Sequence, residues 1–361
     1  MLYFLHGLKD YSILFNLFRY ITFRSAGASV TAFLLSLWLG PWIISWLRQL
    51  KAVANHQREY AESIHPFYAD KKSVPTMGGI LIVASVVISV FLWANLANRF
   101  VWILLLTLTW FGGVGFLDDW IKLQSRSSRG LRSLPKMTGQ LVMGLAIGLY
   151  LYLDPNFDKW LYLPFLKKGM IYLGVFFIPF VILVLVGSSN ALNLTDGLDG
   201  LAIGCTLFAI GAFAIIAYLV GRVDFAAYLS MPYVPEAGEI AVFCAALAGA
   251  SAGFLWFNSY PAEVMMGDTG SLALGGGLGA IAILTKKEAV LVIVGGVFVW
   301  EALSVILQVI SFKLRRKRIF LMSPFHHHLQ LKGWPESKVT IRLWIIAMIL
   351  AVIGLSTLKV R

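Results

Sequence analysis

Charge is scarce in this sequence, and acid scarcer still. Of 361 residues 13% are Asp, Glu, Lys or Arg, only 18 are acidic, and 59% are hydrophobic. Mean hydropathy is +0.79 for a chain of 40.0 kDa. A water-soluble protein of that size needs far more charge to cover its surface, so a soluble globular class is excluded. Cysteine occurs twice, at Cys205 and Cys244, each inside an apolar run. That excludes a disulfide framework or a cysteine-based zinc module. No Gly-x-x-x-x-Gly-Lys run is present, so the phosphate cradle of a P-loop nucleotide hydrolase is missing. Residues 1–20 carry Lys9, Asp10 and Arg19 and lack a small-x-small site after a continuous apolar stretch. They do not read as a cleaved signal peptide, and their Tyr, Phe and Leu content predicts an interfacial helix.

What the chain has instead is long apolar runs. About 20 apolar residues span a bilayer, and ten runs approach that length: 26–47, 76–95, 100–117, 137–153, 170–187, 201–220, 239–256, 269–285, 289–311 and 341–358. The prediction is an all-α integral membrane protein of about ten transmembrane helices, folded as a single domain over 1–361. An even number of spans puts both termini on one side. The connections 48–75, 118–136 and 312–340 all fall on the other side and hold 17 of the 30 lysines and arginines. By the positive-inside rule that face is cytoplasmic and both termini are extracytoplasmic. The basic run Lys313 to Arg318 is then a topology anchor that also attracts anionic lipid headgroups. Because this charge is juxtamembrane with no soluble domain behind it, nucleic-acid binding is not expected.

The few acids are not scattered. Asp118 and Asp119 close the third span, Asp196 and Asp199 lie in Asn193-Leu-Thr-Asp-Gly-Leu-Asp-Gly200, and Asp268 lies in Gly267-Asp-Thr-Gly-Ser271. Span counting alone places all five at the cytoplasmic face. If the third helix continues, Lys122 lies i+4 from Asp118 and i+3 from Asp119, on one helix face. An interfacial salt bridge would explain that pattern by itself. Two adjacent carboxylates repel, however, and sit better with a cation between them. Lys122 also offers a point charge suited to phosphate. The Asn193–Gly200 run fails as an EF-hand, since Leu207 occupies the twelfth place where Glu is required. Asn190 and Asn193 add amide donors and acceptors able to read a base or sugar. Asp268 opens a helix, where it is either an N-cap or a metal ligand. Carboxylates gathered at one membrane face are the usual material for holding Mg²⁺ against phosphates. His326-His-His328 cannot all reach one ion from regular structure, so contact with a phosphate or carboxylate is the better reading. Glu301 and Gln308, seven apart in the ninth span, read as buried partners of other helices.

Taken together, Pro75-Thr-Met-Gly-Gly79, Asp118-Asp119, Asn190 through Gly200, Phe257-Asn-Ser-Tyr-Pro261, Met266-Gly-Asp-Thr-Gly-Ser-Leu272, Ser304-Val-Ile-Leu-Gln308 and the histidine triplet resemble the phospho-N-acetylmuramoyl-pentapeptide-transferase family. The resemblance runs across nearly the whole chain. The triplet separates this family from other polyprenyl-phosphate sugar-1-phosphate transferases, which share the acidic motifs. What the resemblance implies is a ten-helix bacterial inner-membrane enzyme, a homodimer, with a cytoplasmic active site. It would move phospho-MurNAc-pentapeptide from UDP-MurNAc-pentapeptide to undecaprenyl phosphate, releasing UMP, with Mg²⁺ as cofactor. By the same resemblance Asp268 is the metal ligand, and Asp118 and Asp119 are the catalytic acidic pair. His326, His327, His328 and Lys136 are diphosphate or sugar contacts. Lys71, Thr76, Lys122, Asn190, Asn193, Asp196, Gly197, Leu198, Asp199 and Asn258 correspond to nucleotide or substrate positions. Two departures stand out. Ser73-Val74 replace the usual Gly-Thr, and Met265 stands where an aromatic residue normally stacks on the uracil. A thioether is a weaker and less directional base platform than a ring.

The competing class is a secondary transporter, but transporters place ionisable groups at mid-membrane in broken helices and show repeated halves. Here the acids sit at loop junctions, and no internal repeat is evident. A relative using another UDP-sugar is the second enzyme reading.

Overall fold

The computed structural model describes residues 1–50, 52, 74–125, 131, 133–165 and 170–359. Among them, Leu2–Leu8 and Ile13–Arg19 are short 3-10 helices in place of one interfacial α-helix. The helices that follow are α1 (Ile21–Gln49), α2 (Gly79–Trp93), α3 (Arg99–Ser125), α4 (Ser133–Leu153), α5 (Phe177–Thr195), α6 (Leu201–Val220), α7 (Val223–Tyr228), α8 (Gly238–Asn258), α9 (Gly267–Leu284), α10 (Glu288–Val294), α11 (Gly296–Arg315), α12 (Phe325–Leu331) and α13 (Glu336–Ser356). Each of the ten expected spans meets a helix, and among the described residues eight helices are long and apolar enough to cross a membrane. The second span is represented by α2, apolar but only 15 residues long. The fourth is represented by α4, with 21 residues.

Two boundaries differ from the sequence expectation. The run 289–311 is split at Gly295 into α10 and α11, where the Gly295-Gly296 pair has the poorest propensity to continue a helix. The run expected at 170–187 starts late. Its first residues form strand β2 (Met170–Tyr172), paired antiparallel with β1 (Trp160–Tyr162) in the register Leu161↔Ile171. Aromatic and β-branched residues favour this hairpin as readily as a helix, and hydropathy cannot tell the two apart. Consequently α5 reaches Thr195, and Asn190 and Asn193 stand on a helix, not on a loop.

α9 is the hub of the bundle. Every residue from Thr269 to Leu284 is buried, because Gly, Ala and Ser let neighbouring backbones approach closely. At Gly115 of α3 the approach is so tight that a Cβ would stand 2.2 Å from the Asp268 carbonyl oxygen. That contact fixes the end of α3 against the start of α9. The outer faces of α1 and α11 carry exposed Trp38, Trp42, Ile306 and Val309. Apolar residues facing outward are the mark of a lipid-exposed surface.

Candidate active site

α3 continues as helix past its acidic pair to Ser125, so the expected i,i+4 contact forms. Lys122 Nζ lies 2.5 Å from Asp118 and 3.7 Å from Asp119. Both carboxylates are buried. Asp118 also accepts the Leu131 N–H at 2.7 Å. Asp119 reaches across to the start of α9. It accepts from the Thr269 N–H at 2.9 Å, the Thr269 hydroxyl at 2.8 Å and the Asp268 N–H at 3.3 Å. Those amides are donors that a helix start leaves unpaired, so a carboxylate from another helix caps α9. The chain enters α9 through Gly267, whose φ of +73° suits only glycine comfortably. A Cβ there would stand 2.7 Å from Asp119 and 2.9 Å from the Thr76 hydroxyl.

Asp268 gathers the site. Its Oδ2 accepts from Lys122 at 2.9 Å and from Lys136 of α4 at 2.6 Å. Its Oδ1 accepts from Asn193 Nδ2 at 2.7 Å, and the same amide donates to the Ser271 hydroxyl at 2.8 Å. One carboxylate oxygen each from Asp118, Asp119 and Asp268 lie within 4.8 Å of one another. Asp196, just past the end of α5, joins this field. Burial first, then the negative charges of Asp268 and Asp119, push its carboxyl up to about 8, against a pull downward from the Gly267 N–H. Three carboxylates, Asp118, Asp119 and Asp268, thus share two lysines, an arrangement that asks for further positive charge. Oxygen-only donors packed this closely fit a hard divalent cation such as Mg²⁺ better than a soft metal.

The other sequence-predicted residues divide into two groups. Gly197 follows Asp196 and lies against the ring of His326. Met265 is half-buried at the approach to Gly267, its N–H donating to Pro75 O at 2.8 Å and its carbonyl accepting from Gly78 N–H. Asn190 instead donates to Gln140 Oε1 of α4 and to Val186 O, joining two helices beside the cluster. Leu198 is buried in the apolar core. Asp199 accepts the Ala262 N–H at 3.0 Å, while its own N–H donates to Glu336 of α13 at 2.7 Å. Asn258 accepts the Gly200 N–H and donates to Val264 O. In this structure Asp199 and Asn258 hold loops together. Lys71 lies outside the described residues.

The triplet lies in α12, where the rings of His326 and His327 meet edge-on with centroids 4.1 Å apart and His328 packs on Phe325. His326 is fully buried beside Glu301, with Nδ1 at 3.2 Å from Oε2. His327 Nδ1 pairs with Gln330 at 2.8 Å. His328 Nδ1 accepts the Leu321 N–H, and its ring stacks on Phe325. Glu301 is buried against His326 of α12, as expected of a partner of another helix, whereas Gln308 accepts the Ile319 and Phe320 N–H groups of the segment after α11. Thr269, Ser271 and Glu336 are contributors that sequence reading does not single out. The first two lie inside the Gly267–Ser271 run, whereas Glu336 carries no local signal.

A family model described as glycosyl transferase family 4 matches residues 101–286, which contain all four clustered carboxylates and both lysines. Three bacterial relatives bear the name phospho-N-acetylmuramoyl-pentapeptide-transferase. That of Geobacter sp. (strain M21) is 51% identical over 352 residues, covering 98% of this chain and 97% of its own length. That of Citrifermentans bemidjiense is 51% identical over 353 residues, with the same coverage. That of Granulibacter bethesdensis is 52% identical over 359 residues, 99% of this chain and 98% of its own length. With identity at that level from end to end, this chain belongs to the phospho-N-acetylmuramoyl-pentapeptide-transferase family, within glycosyl transferase family 4.

Proposed function

We propose that this protein transfers phospho-MurNAc-pentapeptide from UDP-MurNAc-pentapeptide to undecaprenyl phosphate, forming lipid I and releasing UMP, the first membrane step of peptidoglycan synthesis. The observation that carries this reading is the cluster of Asp118, Asp119 and Asp268 around Lys122 and Lys136 at the ends of membrane helices. An oxygen of the lipid phosphate attacks the sugar-linked phosphorus, the bond to the bridging oxygen breaks, and UMP leaves with that electron pair. One partner is anchored in the bilayer and the other is soluble, so the reaction needs a site where the helix bundle meets water. Lys122 and Lys136 offset negative charge gathering on the phosphates. Asn193 holds Asp268 in place, and Asp119 holds the start of α9. Asp118, Asp119 and Asp268 would hold Mg²⁺, which when bound neutralises phosphate charge and polarises the phosphoryl oxygens. The enzyme works as a homodimer in the bacterial inner membrane, with both termini extracytoplasmic and the cluster cytoplasmic.

Radiolabelled UDP-sugars offered with undecaprenyl phosphate in detergent or nanodiscs test the reading. The expected result is a lipid-linked product and UMP from UDP-MurNAc-pentapeptide, lost on chelation and restored by Mg²⁺. Preference for another UDP-sugar would reassign the donor, and no lipid product from any donor would overturn transfer in favour of transport.

A further inference from the structure

α11 and α12 meet in a buried ionisable pair. Glu301 and His326 are each 0% exposed. The Glu301 carboxylate accepts the His326 backbone N–H at 3.3 Å and lies 3.2 Å from the ring Nδ1. The approach to Nδ1 is oblique, so the contact is electrostatic more than a straight hydrogen bond. A carboxylate at that distance disfavours a bare lone pair on Nδ1 and holds the proton there, leaving Nε2 bare in the neutral ring. Among the described residues Nε2 has no hydrogen-bond partner, and it faces Gly197. A Cβ on Gly197 would stand 2.3 Å from Nε2 and 2.9 Å from Cε1. The imidazole therefore fills the space any side chain at 197 would need, directly behind the residue that follows Asp196.

Burying a carboxylate and an imidazole inside a membrane protein carries a desolvation cost, and simple packing would be served by an apolar residue. We propose that Glu301 and His326 are positioning residues for the Asp196–Gly197 turn. The carboxylate sets the tautomer and orientation of the ring, and the ring sets how the turn carrying Asp196 stands against Asp268. This deepens the transfer reading and rests on it. His326, fully enclosed, acts through the turn and does not touch the donor.

The test combines a double-mutant cycle with ¹⁵N spectra of the histidine-labelled enzyme in nanodiscs. Glu301→Gln keeps the shape and removes the charge. It is expected to lower kcat/KM about tenfold, the scale of an outer orienting residue, without a matching fall in melting temperature. In a His326→Asn background the same change is expected to add nothing further. In the wild-type protein His326 should show a protonated Nδ1 and a bare Nε2, and Glu301→Gln should mix the tautomers. Additive losses, or a wild-type ring protonated at Nε2 with Nδ1 bare, would overturn the pair. If Glu301→Gln fails to fold, Glu301→Asp and the wild-type spectrum still decide. An enzyme that makes no lipid product at all would sink the transfer reading, while the spectra would judge the Glu301–His326 pair separately.

Discussion

The two ends of the helix bundle handle charge in opposite ways. At one end Asp118, Asp119 and Asp268 crowd around Lys122 and Lys136, acid in excess of base, and Asp196 lies buried in the field of Asp268 and Asp119. At the other end, acids and bases are matched with geometric care. Arg24 of α1 meets Glu239 of α8 through two parallel bonds of 2.7 and 2.6 Å. Glu239 also accepts the Asn95 N–H at 2.9 Å, and the Tyr3 ring covers the guanidinium at 4.8 Å. Arg99 joins Asp154 and Glu236. Arg99 opens the same helix whose last turns carry Asp118 and Asp119, so one element serves both styles. A fork-to-fork pair balances its own charge, Arg24 against Glu239, and needs no further ion. An acid-rich cluster of this kind is a functional-site candidate that an added cation would balance. On the proposed function, the first end reacts and the second holds.

Mutations that attack each end should separate these roles. The largest effect is expected at Asp268, which holds both lysines and Asn193. Asp268→Ala should abolish transfer while the protein still inserts and folds, read as lipid product per mole of monodisperse enzyme. Transfer near the wild-type rate would remove Asp268 from the site. Asp118→Asn and Asp119→Asn should each lower kcat by at least ~10²-fold, the scale of a lost acid–base or charge-positioning group. A change confined to KM would reduce the α3 pair to an interfacial salt bridge. Asp119 should show a second effect that Asp118 does not, a lower melting temperature, since it also caps α9.

The opposite end should answer in stability and not in rate. Glu239→Ala leaves the buried Arg24 guanidinium without its partner. Breaking such a pair typically costs about 3–5 kcal/mol. Thermal unfolding in detergent should show a large fall, while kcat per folded molecule stays within about twofold of wild type. A variant that folds normally but transfers poorly would break the comparison, because charge matching would then no longer mark a purely structural region.

Much of this division was legible in the sequence, and the rest had a physical reason to be hidden. The spans follow from apolar length, and the Asp118–Lys122 contact from helical periodicity. Both are local, as is the Gly-rich entry to α9. Asp119 capping a helix 150 residues away is not local, nor is Glu336 holding the Asp199 N–H from α13. Such pairings depend on which helices pack together, which no single run encodes. Asp199 and Asn258 look like Asp196 and Asn193 in a sequence, yet they turn inward to hold loops. The pairing of strand 160–162 with strand 170–172 is hidden by the hydropathy of those residues. Burial of His326 against Gly197 appears only once α12 is docked.

The smallest expected effect sharpens the reacting end at its rim. Met265 stands beside the entry to α9, where the family resemblance implies an aromatic ring. Its backbone is fixed on both sides, by Pro75 O and by the Gly78 N–H. Its side chain is half-buried, not sealed in the core. A larger group can therefore be added with less overpacking than at a fully buried site. Base–aromatic stacking contributes about 1–3 kcal/mol where it has been tested by alanine substitution, and the thioether already supplies part of that contact. Met265→Phe should then lower the KM for the UDP-linked donor by a few-fold to about tenfold, the lower end of that range, with kcat unchanged. Titrating UDP against both forms isolates the base contact from the sugar and peptide. Equal affinity in a well-folded variant would mean that position 265 does not face the uracil and that the base platform lies elsewhere on the rim.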